Sequence, residues 1–320
     1  MKFKKPKFWD QKKPNILSLL LLPLTILINI NNFFKDKWNN KLKKKNYNFK
    51  IKTICIGNIY LGGTGKTPSV IKINQILKHF KYNCVFIKKF YTDTLDESHL
   101  LKKNGPVIEL KKRISSLEEA NKSYDLAIFD DGLQDGSVNY DLKFVCFNTK
   151  NFIGNGMLIP AGPLREKITS LIKYDAVFLN GNDEDSTETK IEIKKYNKDI
   201  SIFETKYILT NLDSFDKKDK YVAFAGIGMP INFYKLLSNN GFNIINFLEY
   251  PDHYRYSYKD IDKIKSIAND NGAKIITTEK DFSRIQLENN SSLIQNINYI
   301  EMELELKDEN ALINFLKEKI

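Results

Sequence analysis

The sequence predicts an α/β protein: a parallel β-sheet with helices on both faces, followed by a second, smaller α/β domain. Three observations predict this class. Short apolar, strand-like runs alternate with helical patterns, a glycine-rich loop joins one run to a helix, and a polar stretch at 207–220 separates two sets of alternation. The strand-like runs are 51–56, 83–87, 125–130, 143–147 and 175–180 in the first set, and 221–225, 242–248 and 274–277 in the second. We therefore predict an N-terminal segment at 1–49, a main domain at 50–206, and a linker and second domain at 207–320.

Helices are predicted where the apolar spacing changes to that of a helix. In the second domain they begin at Pro230 and Ser257, and an amphipathic helix over 311–320 ends the chain. The stretch 180–197 is rich in polar and charged residues, and we read it as an excursion from the main domain.

Composition excludes some classes of function. The chain has 320 residues, of which 42% are hydrophobic, so it can build a substantial core. Its net charge is +11, but the first 50 residues contain 13 lysines and two aspartates, and the rest of the chain is balanced. The positive field belongs to the N-terminal segment, and we expect no nucleic-acid partner. The scattered cysteines, Cys55, Cys84 and Cys146, predict buried thiols in a reducing compartment.

The N-terminal segment contains a strongly apolar stretch at 15–30. Its polar residues recur at helical spacing: Asn15, Ser18, Thr25, Asn29 and Asn32. The stretch is shorter than the ~20 residues that cross a bilayer, and Pro23 interrupts it. We therefore predict a helix in the membrane interface, with flanking lysines near anionic headgroups. No small-residue cleavage site follows, which argues against a signal peptide. A buried structural helix and a short spanning anchor are the open alternatives.

The strand-like run 51–56 leads into a glycine-rich loop and then a helical pattern. Strand, glycine loop, Gly-Lys-Thr and helix occur in the order of a phosphate-binding P-loop, which predicts a P-loop NTPase-like sheet. In such a site backbone N–H groups face the phosphates of ATP, Lys66 reaches the terminal phosphates and Thr67 binds Mg²⁺. The predicted ATP contacts are Tyr60, Leu61, Gly62, Gly63, Thr64, Gly65, Lys66 and Thr67. Tyr60 stands where the usual loop has its first glycine.

A second buried strand, 125–130, ends in the acidic pair Asp130 and Asp131. The carboxyl ends of parallel strands meet at one sheet edge, which places the pair beside the P-loop. Adjacent side chains on an extended strand point in opposite directions. We therefore expect one carboxylate to approach the metal while the other faces another part of the site. With Thr67, both are predicted magnesium ligands; a solvated turn is the alternative for such a pair taken alone.

Six motifs follow one another along residues 50–285. They are Gly57 to Pro68, Asp130 to Gln134, Pro160 to Glu166, Phe224 to Gly228, Asp252 with His253, and Thr277 to Asp281. In this order, and with the apolar N-terminal segment, the chain resembles the tetraacyldisaccharide 4'-kinases of lipid A biosynthesis. The family's Ser-Arg-Gly-Tyr stretch reads Lys-Lys-Phe-Tyr here, at Lys88 to Tyr91.

The resemblance implies an activity and its site. It implies two α/β/α domains with ATP between them, and Mg²⁺-dependent transfer of the γ-phosphoryl group to the 4'-hydroxyl of tetraacyldisaccharide 1-phosphate. Asp96 and His253 match the family's catalytic dyad, in which the carboxylate, tuned by the imidazole, accepts the hydroxyl proton. Arg165 would neutralise charge on the phosphates, and Glu166 would orient the Arg165 side chain. Since Asp96 and His253 fall in different predicted domains, such a dyad requires domain closure.

The same resemblance implies a location and partners: the cytoplasmic face of the inner membrane, the acylated disaccharide lipid, the membrane surface, and no protein partner. Each site residue also has a simpler reading. Asp96 alone fits a helix N-cap, His253 a loop-capping residue, and Arg165 with Glu166 a surface ion pair. Thr277 to Asp281 fits a helix start with its acids near the positive dipole end.

The main rival function is a membrane-recruited P-loop ATPase switch that binds protein partners. Such switches carry a signature lysine before the first of the paired glycines, and this chain has Leu61 there. A nucleic-acid-binding ATPase is disfavoured by the balanced charge of the body.

Overall fold

The structure, a computed structural model, describes residues 5–30, 49–91, 94–182, 185–287 and 293–320. These residues form two compact units. Unit 1 comprises the described residues of Met1–Phe90, Gly105–Lys206 and Leu306–Ile320. Unit 2 comprises those of Tyr91–Asn104 and Tyr207–Glu305.

Strands and helices alternate along most of the chain. The strands are β1 (Lys52–Gly57), β2 (Cys84–Lys89), β3 (Val107–Leu110), β4 (Leu126–Asp130), β5 (Leu142–Asn148), β6 (Ala176–Asn180), β7 (Ser201–Leu209), β8 (Lys220–Ala225), β9 (Asn243–Glu249), β10 (Lys274–Thr278), β11 (Ile297–Ile300) and β12 (Met302–Leu306). The helices are α1 (Ile16–Leu20), α2 (22–30), α3 (Lys66–His79), α4 (Leu95–Asn104), α5 (Arg113–Ala120), α6 (Thr187–Tyr196), α7 (Pro230–Asn239), α8 (Tyr258–Asp270), α9 (Glu279–Leu287) and α10 (Glu309–Lys319).

Unit 1 is built on seven neighbouring strands of the large sheet, in the order β7-β6-β5-β1-β4-β2-β3. From β3 to β7 every neighbouring pair is parallel. β1 is buried from its second residue onward, and β4 and β6 are buried throughout. Such burial is expected for a parallel sheet covered on both faces. The predicted fold class is confirmed, and the carboxyl ends of β1 and β4 meet at one edge, where the P-loop begins.

Unit 2 contains the four-stranded sheet β11-β10-β8-β9, all of it parallel. Its helices begin where the sequence predicts. α7 starts at Pro230, a residue that suits the first helical turn. α8 is capped by Ser257, whose side chain accepts from the N–H of Asp260 while the Asp260 carboxylate accepts from the N–H of Ser257. The second α/β domain is therefore present.

The borders of the units differ from the predicted domains in two places. α4 belongs to unit 2, where it packs against α9. α10 belongs to unit 1, where the ring of Phe315 lies 5.8 Å from that of Phe144 and 5.4 Å from that of Phe203. Both assignments depend on contacts between distant parts of the sequence, which local patterns do not reveal.

Two local predictions, the polar excursion and the start of the linker, need correction, and the prediction of buried cysteines is confirmed. The predicted polar excursion contains the regular helix α6, which buries Ile193. The first residues of the predicted linker, 207–209, continue β7. Cys55, Cys84 and Cys146 are buried and free, as expected, and burial raises the pKa of Cys84 to about 12.

Two polar residues of the N-terminal stretch, Ser18 and Thr25, are hydrogen-bonded to a later part of unit 1. The Asn155 side chain donates to Ser18 Oγ (2.9 Å), and the N–H of Ala161 donates to Thr25 Oγ1 (3.3 Å). The helix breaks at Leu21, just ahead of Pro23. The outward side is apolar. Its exposed residues are Ile16, Leu17, Leu19, Leu20, Leu24, Ile26, Leu27 and Ile30.

Among the described residues, no helix has the length and apolar character needed to cross a membrane. Asn32 and the lysines that follow the stretch lie outside the described residues.

Candidate active site

The P-loop connects β1 to α3 and is held from behind by two buried asparagines. Gly65, at the helix N-cap, has φ 84°, a left-handed conformation that glycine adopts without strain. Asn58 Nδ2 donates to Thr64 Oγ1 (2.9 Å) and to the Gly62 carbonyl (3.3 Å). Asn180 Nδ2 donates to the Thr64 carbonyl. These bonds fix the loop through side chains and carbonyls, and it is the backbone N–H groups of such a loop that bind phosphate.

Neither asparagine was among the predicted site residues. Both carried a signal, since Asn58 belongs to the Gly-Asn motif and Asn180 ends a buried strand at the carboxyl edge of the sheet.

One side of the site joins the hydroxyl after the P-loop lysine to the first acid. Thr67 Oγ1 donates to Asp130 Oδ2 at 3.1 Å. Lys88 Nζ, at the end of β2, lies 3.1 Å from the same oxygen. Asp130 Oδ1 is buried and has no hydrogen-bond partner among the described residues. A hydroxyl beside a buried carboxylate with a free oxygen suits Mg²⁺, so Thr67 and Asp130 fit the predicted metal site.

The second acid, Asp131, faces a different part of the site, as the strand geometry predicts. Its φ of 60° turns the carboxylate toward Arg165, with Oδ1 2.9 Å from Nη1 and Oδ2 3.8 Å from Lys66 Nζ. Burial on its own would raise the pKa of Asp131, but the charges of Lys66 and Arg165 outweigh it and lower the pKa. Asp131 therefore stays ionised and holds two cations; its predicted role as a metal ligand remains a prediction.

Glu166 does not contact Arg165 directly, contrary to the expected orienting contact. Its Oε1 accepts from Gln134 Nε2 (2.9 Å) and from the Tyr174 hydroxyl (3.1 Å). Gln134 in turn accepts from Arg165 Nη1 through Oε1 at 3.3 Å. Neighbouring side chains of an extended segment point in opposite directions, so Glu166 reaches Arg165 through Gln134 while Asp131 orients the guanidinium.

The first two predicted loop contacts are occupied by other parts of unit 1. The Tyr60 hydroxyl donates to Asp10, and Lys5 Nζ lies 3.0 Å from it. The N–H of Leu61 donates to the Pro163 carbonyl at 2.8 Å. Tyr60 is tolerated in place of the usual glycine because its side chain contacts the N-terminal segment, so any contribution to ATP binding comes from its backbone.

In unit 2 the structure brings Asp96 and His253 together. His253 Nδ1 lies 3.7 Å from Asp96 Oδ2, and Nε2 lies 4.0 Å from Glu97 Oε1. His253 adopts φ 54°, and its N–H donates to the Gly226 carbonyl at 3.1 Å. Lys280 Nζ donates to Glu97 at 3.0 Å. Because α4 belongs to unit 2, the pair forms within one unit, and the expected need for domain closure is wrong.

An arginine that sequence reasoning missed anchors this cluster. Arg284 Nη2 donates to Asp96 Oδ2 at 2.5 Å, and Nη1 donates to Asp281 Oδ1 at 2.8 Å. Asp281 also accepts from the Thr278 hydroxyl (2.7 Å) and the N–H of Gly226 (3.0 Å). The predicted helix start is confirmed, since α9 begins at Glu279, but Asp281 is fully buried. A signal for Arg284 was its place three residues after Asp281, one turn along a helix.

The two members of the dyad differ in accessibility and charge. The Asp96 side chain is 1% exposed, whereas that of His253 is 30% exposed. Burial opposes ionisation of Asp96, but the neighbouring His253 imidazole and the charges of Lys280 and Arg284 hold its pKa well below the ordinary range. The cluster therefore presents a reachable imidazole backed by a permanently ionised carboxylate.

Comparisons with known proteins show the family to which the chain belongs. The family model described as tetraacyldisaccharide-1-P 4'-kinase matches residues 17–95 and 88–320. A tetraacyldisaccharide 4'-kinase from Pelagibacter ubique (strain HTCC1062) is 49% identical over 317 residues, covering 99% of this chain and 98% of the relative. One from Rickettsia canadensis (strain McKiel) is 33% identical over 326 residues, covering 96% and 94%.

A solved structure is similar in fold. The crystal structure of the "apo" form of LpxK from Aquifex aeolicus in complex with ATP matches with a TM-score of 0.71 and 22% identity, covering 95% of this chain and 99% of that one. The fold, the ordered motifs and the full-length match to the family model lead to one conclusion: the chain belongs to the tetraacyldisaccharide-1-P 4'-kinase family.

Proposed function

We propose that this protein transfers the γ-phosphoryl group of ATP to the 4'-hydroxyl of tetraacyldisaccharide 1-phosphate, a step of lipid A biosynthesis. The observation that carries the proposal is the arrangement around the P-loop. Lys66 and Arg165 both lie at the Asp131 carboxylate, and Thr67 is bonded to Asp130. Two cations and a hydroxyl–carboxylate pair at one loop are what phosphoryl transfer requires.

The P-loop stabilises charge on the phosphates. Backbone N–H groups at the start of α3 face the anion, and the helix dipole adds to the attraction. Lys66 and Arg165 neutralise charge that develops on the transferred group, and Asp131 keeps both cations in place. Mg²⁺ bound at Thr67 and Asp130 would supply further neutralisation of the phosphates.

The acid–imidazole cluster of unit 2 accounts for the acceptor proton. As the bond between the hydroxyl oxygen and the γ-phosphorus forms, the bond from that phosphorus to the β,γ-bridging oxygen breaks and ADP leaves. The hydroxyl proton passes to His253. The ionised Asp96 stabilises the resulting imidazolium, and Arg284 fixes the carboxylate. The burial of Asp96 supports this division of roles over one in which Asp96 itself accepts the proton.

The N-terminal helices hold the protein at its lipid substrate. We place them on the membrane surface, at the cytoplasmic face of the inner membrane, without crossing it. Support comes from the eight exposed aliphatic residues on the outward side of α1 and α2. The polar residues Ser18 and Thr25 of these helices point the other way, where they are hydrogen-bonded to Asn155 and Ala161. Such a face is stable when buried at the boundary between headgroups and acyl chains.

A transfer assay tests the proposal. The full chain in detergent receives ATP labelled at the γ-phosphate, with and without tetraacyldisaccharide 1-phosphate, and the lipid phase is then extracted. We expect label in the lipid with the wild type and none with Lys66→Ala, whose melting temperature should match the wild type. Release of labelled phosphate with no label in the lipid would favour the ATPase switch. The sequence argues against the switch, because Leu61 occupies the position of its signature lysine.

A further inference from the structure

Lys88 is a buried lysine at the phosphate site. It is the last residue but one of β2, and its side chain is only 6% exposed. Its ammonium lies 3.1 Å from Asp130 Oδ2, and the Asp130 carboxylate is itself buried.

Lys88 lies directly against the acid beside Thr67. A lysine is buried at high cost unless an opposite charge compensates it, and Asp130 supplies that charge. Thr67 and Lys88 both bond to Oδ2, which leaves Oδ1 free. The two acids thus contact different cations. Asp131 contacts Arg165 and Lys66, whereas Asp130 contacts Lys88.

Removal of this ammonium has two electrostatic consequences. Without metal, the uncompensated Asp130 carboxylate would repel the triphosphate of ATP. With metal, the same carboxylate would attract a divalent cation more strongly, because no ammonium shares its charge. The two effects have opposite signs.

We propose that Lys88 is a built-in cation of the phosphate site, which sustains ATP binding without metal and lowers the affinity of the site for the divalent ion. This inference rests on the proposed function only in that ATP binds at the P-loop. It assigns to Lys88 a role in binding ATP and the divalent ion, argued from its contact with Asp130.

The test measures binding rather than turnover. A fluorescent ATP analogue is titrated into the full chain in EDTA and in Mg²⁺, and Mn²⁺ binding to the nucleotide-saturated protein is followed by electron paramagnetic resonance. For Lys88→Met we expect the Kd of the analogue in EDTA to rise about tenfold and the Kd of Mn²⁺ to fall about tenfold. Lys89→Met is the matched control, because this neighbour points to the opposite face of β2.

Lys88→Ser serves as the second variant, since it leaves a smaller side chain with a hydroxyl near Asp130 and is measured if Lys88→Met fails to fold. The opposite shifts of the two affinities support the proposal. If both affinities stay unchanged, or both weaken, Lys88 is a structural residue and the proposal is overturned. A folded wild type that binds the analogue in neither condition would instead overturn the proposed function and, with it, this inference.

Discussion

The replacement Arg284→Met should both destabilise unit 2 and slow the reaction. The Arg284 side chain is 7% exposed and donates to Asp96 Oδ2 (2.5 Å), Asp281 Oδ1 (2.8 Å) and the carbonyls of Gly226 (3.1 Å) and Tyr254 (3.3 Å). Methionine fills a similar volume but leaves two buried carboxylates without their guanidinium. Removing one partner of a buried ion pair costs about 3–5 kcal/mol, and we expect a loss of free energy of unfolding in that range.

The kinetic consequence follows from the same contacts. Arg284 is one of the charges that keep Asp96 ionised, so its loss raises the pKa of Asp96 and frees its side chain. We expect kcat to fall about 100-fold and the KM for ATP to stay constant, because the P-loop belongs to unit 1. Urea unfolding and steady-state kinetics measure the two effects, and Arg284→Lys, which keeps the charge, should recover part of each. A variant as stable as the wild type with unchanged kcat would refute this account of the cluster.

Three further predictions concern the dyad, its charge and the membrane face. Asp96→Asn and His253→Ala should each lower kcat about 100-fold or more, and the double variant should be scarcely slower than either; additive losses would show independent roles. Because the pKa of Asp96 is lowered in the folded protein, its ionised form stabilises the fold above about pH 4, and this contribution disappears as the pH falls toward the folded pKa. The stability difference between wild type and Asp96→Asn should therefore be larger at pH 7 than at pH 3 in urea unfolding, and a difference that grows on acidification contradicts the ion pair. The double variant Leu20→Glu, Leu27→Glu should no longer co-sediment with anionic vesicles, and its melting temperature should not be lower. Undiminished binding would refute the proposal that the exposed apolar side of α1 and α2 contacts the membrane.

Local signals predicted the phosphate side of the site. The order of strand, glycine loop and helix fixes where Lys66 and Thr67 lie, because the loop joins elements that are adjacent in sequence. The alternation of side chains along a strand likewise predicted that Asp130 and Asp131 face different partners. The alternation of strand-like and helical patterns along the chain also predicted the fold class.

Contacts between distant residues were beyond these signals. The place of Asp96 in unit 2 depends on α4 packing against α9, more than 170 residues later, through pairs such as Lys103 with Glu279. Lysine and arginine side chains are usually exposed, so the sequence alone does not show that Arg284 lies against Asp96 or Lys88 against Asp130. Sequence patterns therefore predicted the carboxylates of the candidate site but not the cations that lie against them.

The most direct test of the central claim is the position and stoichiometry of the transferred phosphate. The full chain is incubated with ATP, Mg²⁺ and tetraacyldisaccharide 1-phosphate in detergent; ADP is counted, and the lipid product is analysed by phosphorus NMR and mass spectrometry. The account predicts one new phosphate monoester, at the 4'-position, for each ADP formed by the wild type, and none with Lys66→Ala. ADP produced without a new lipid phosphate, or a phosphate at another hydroxyl, would contradict it.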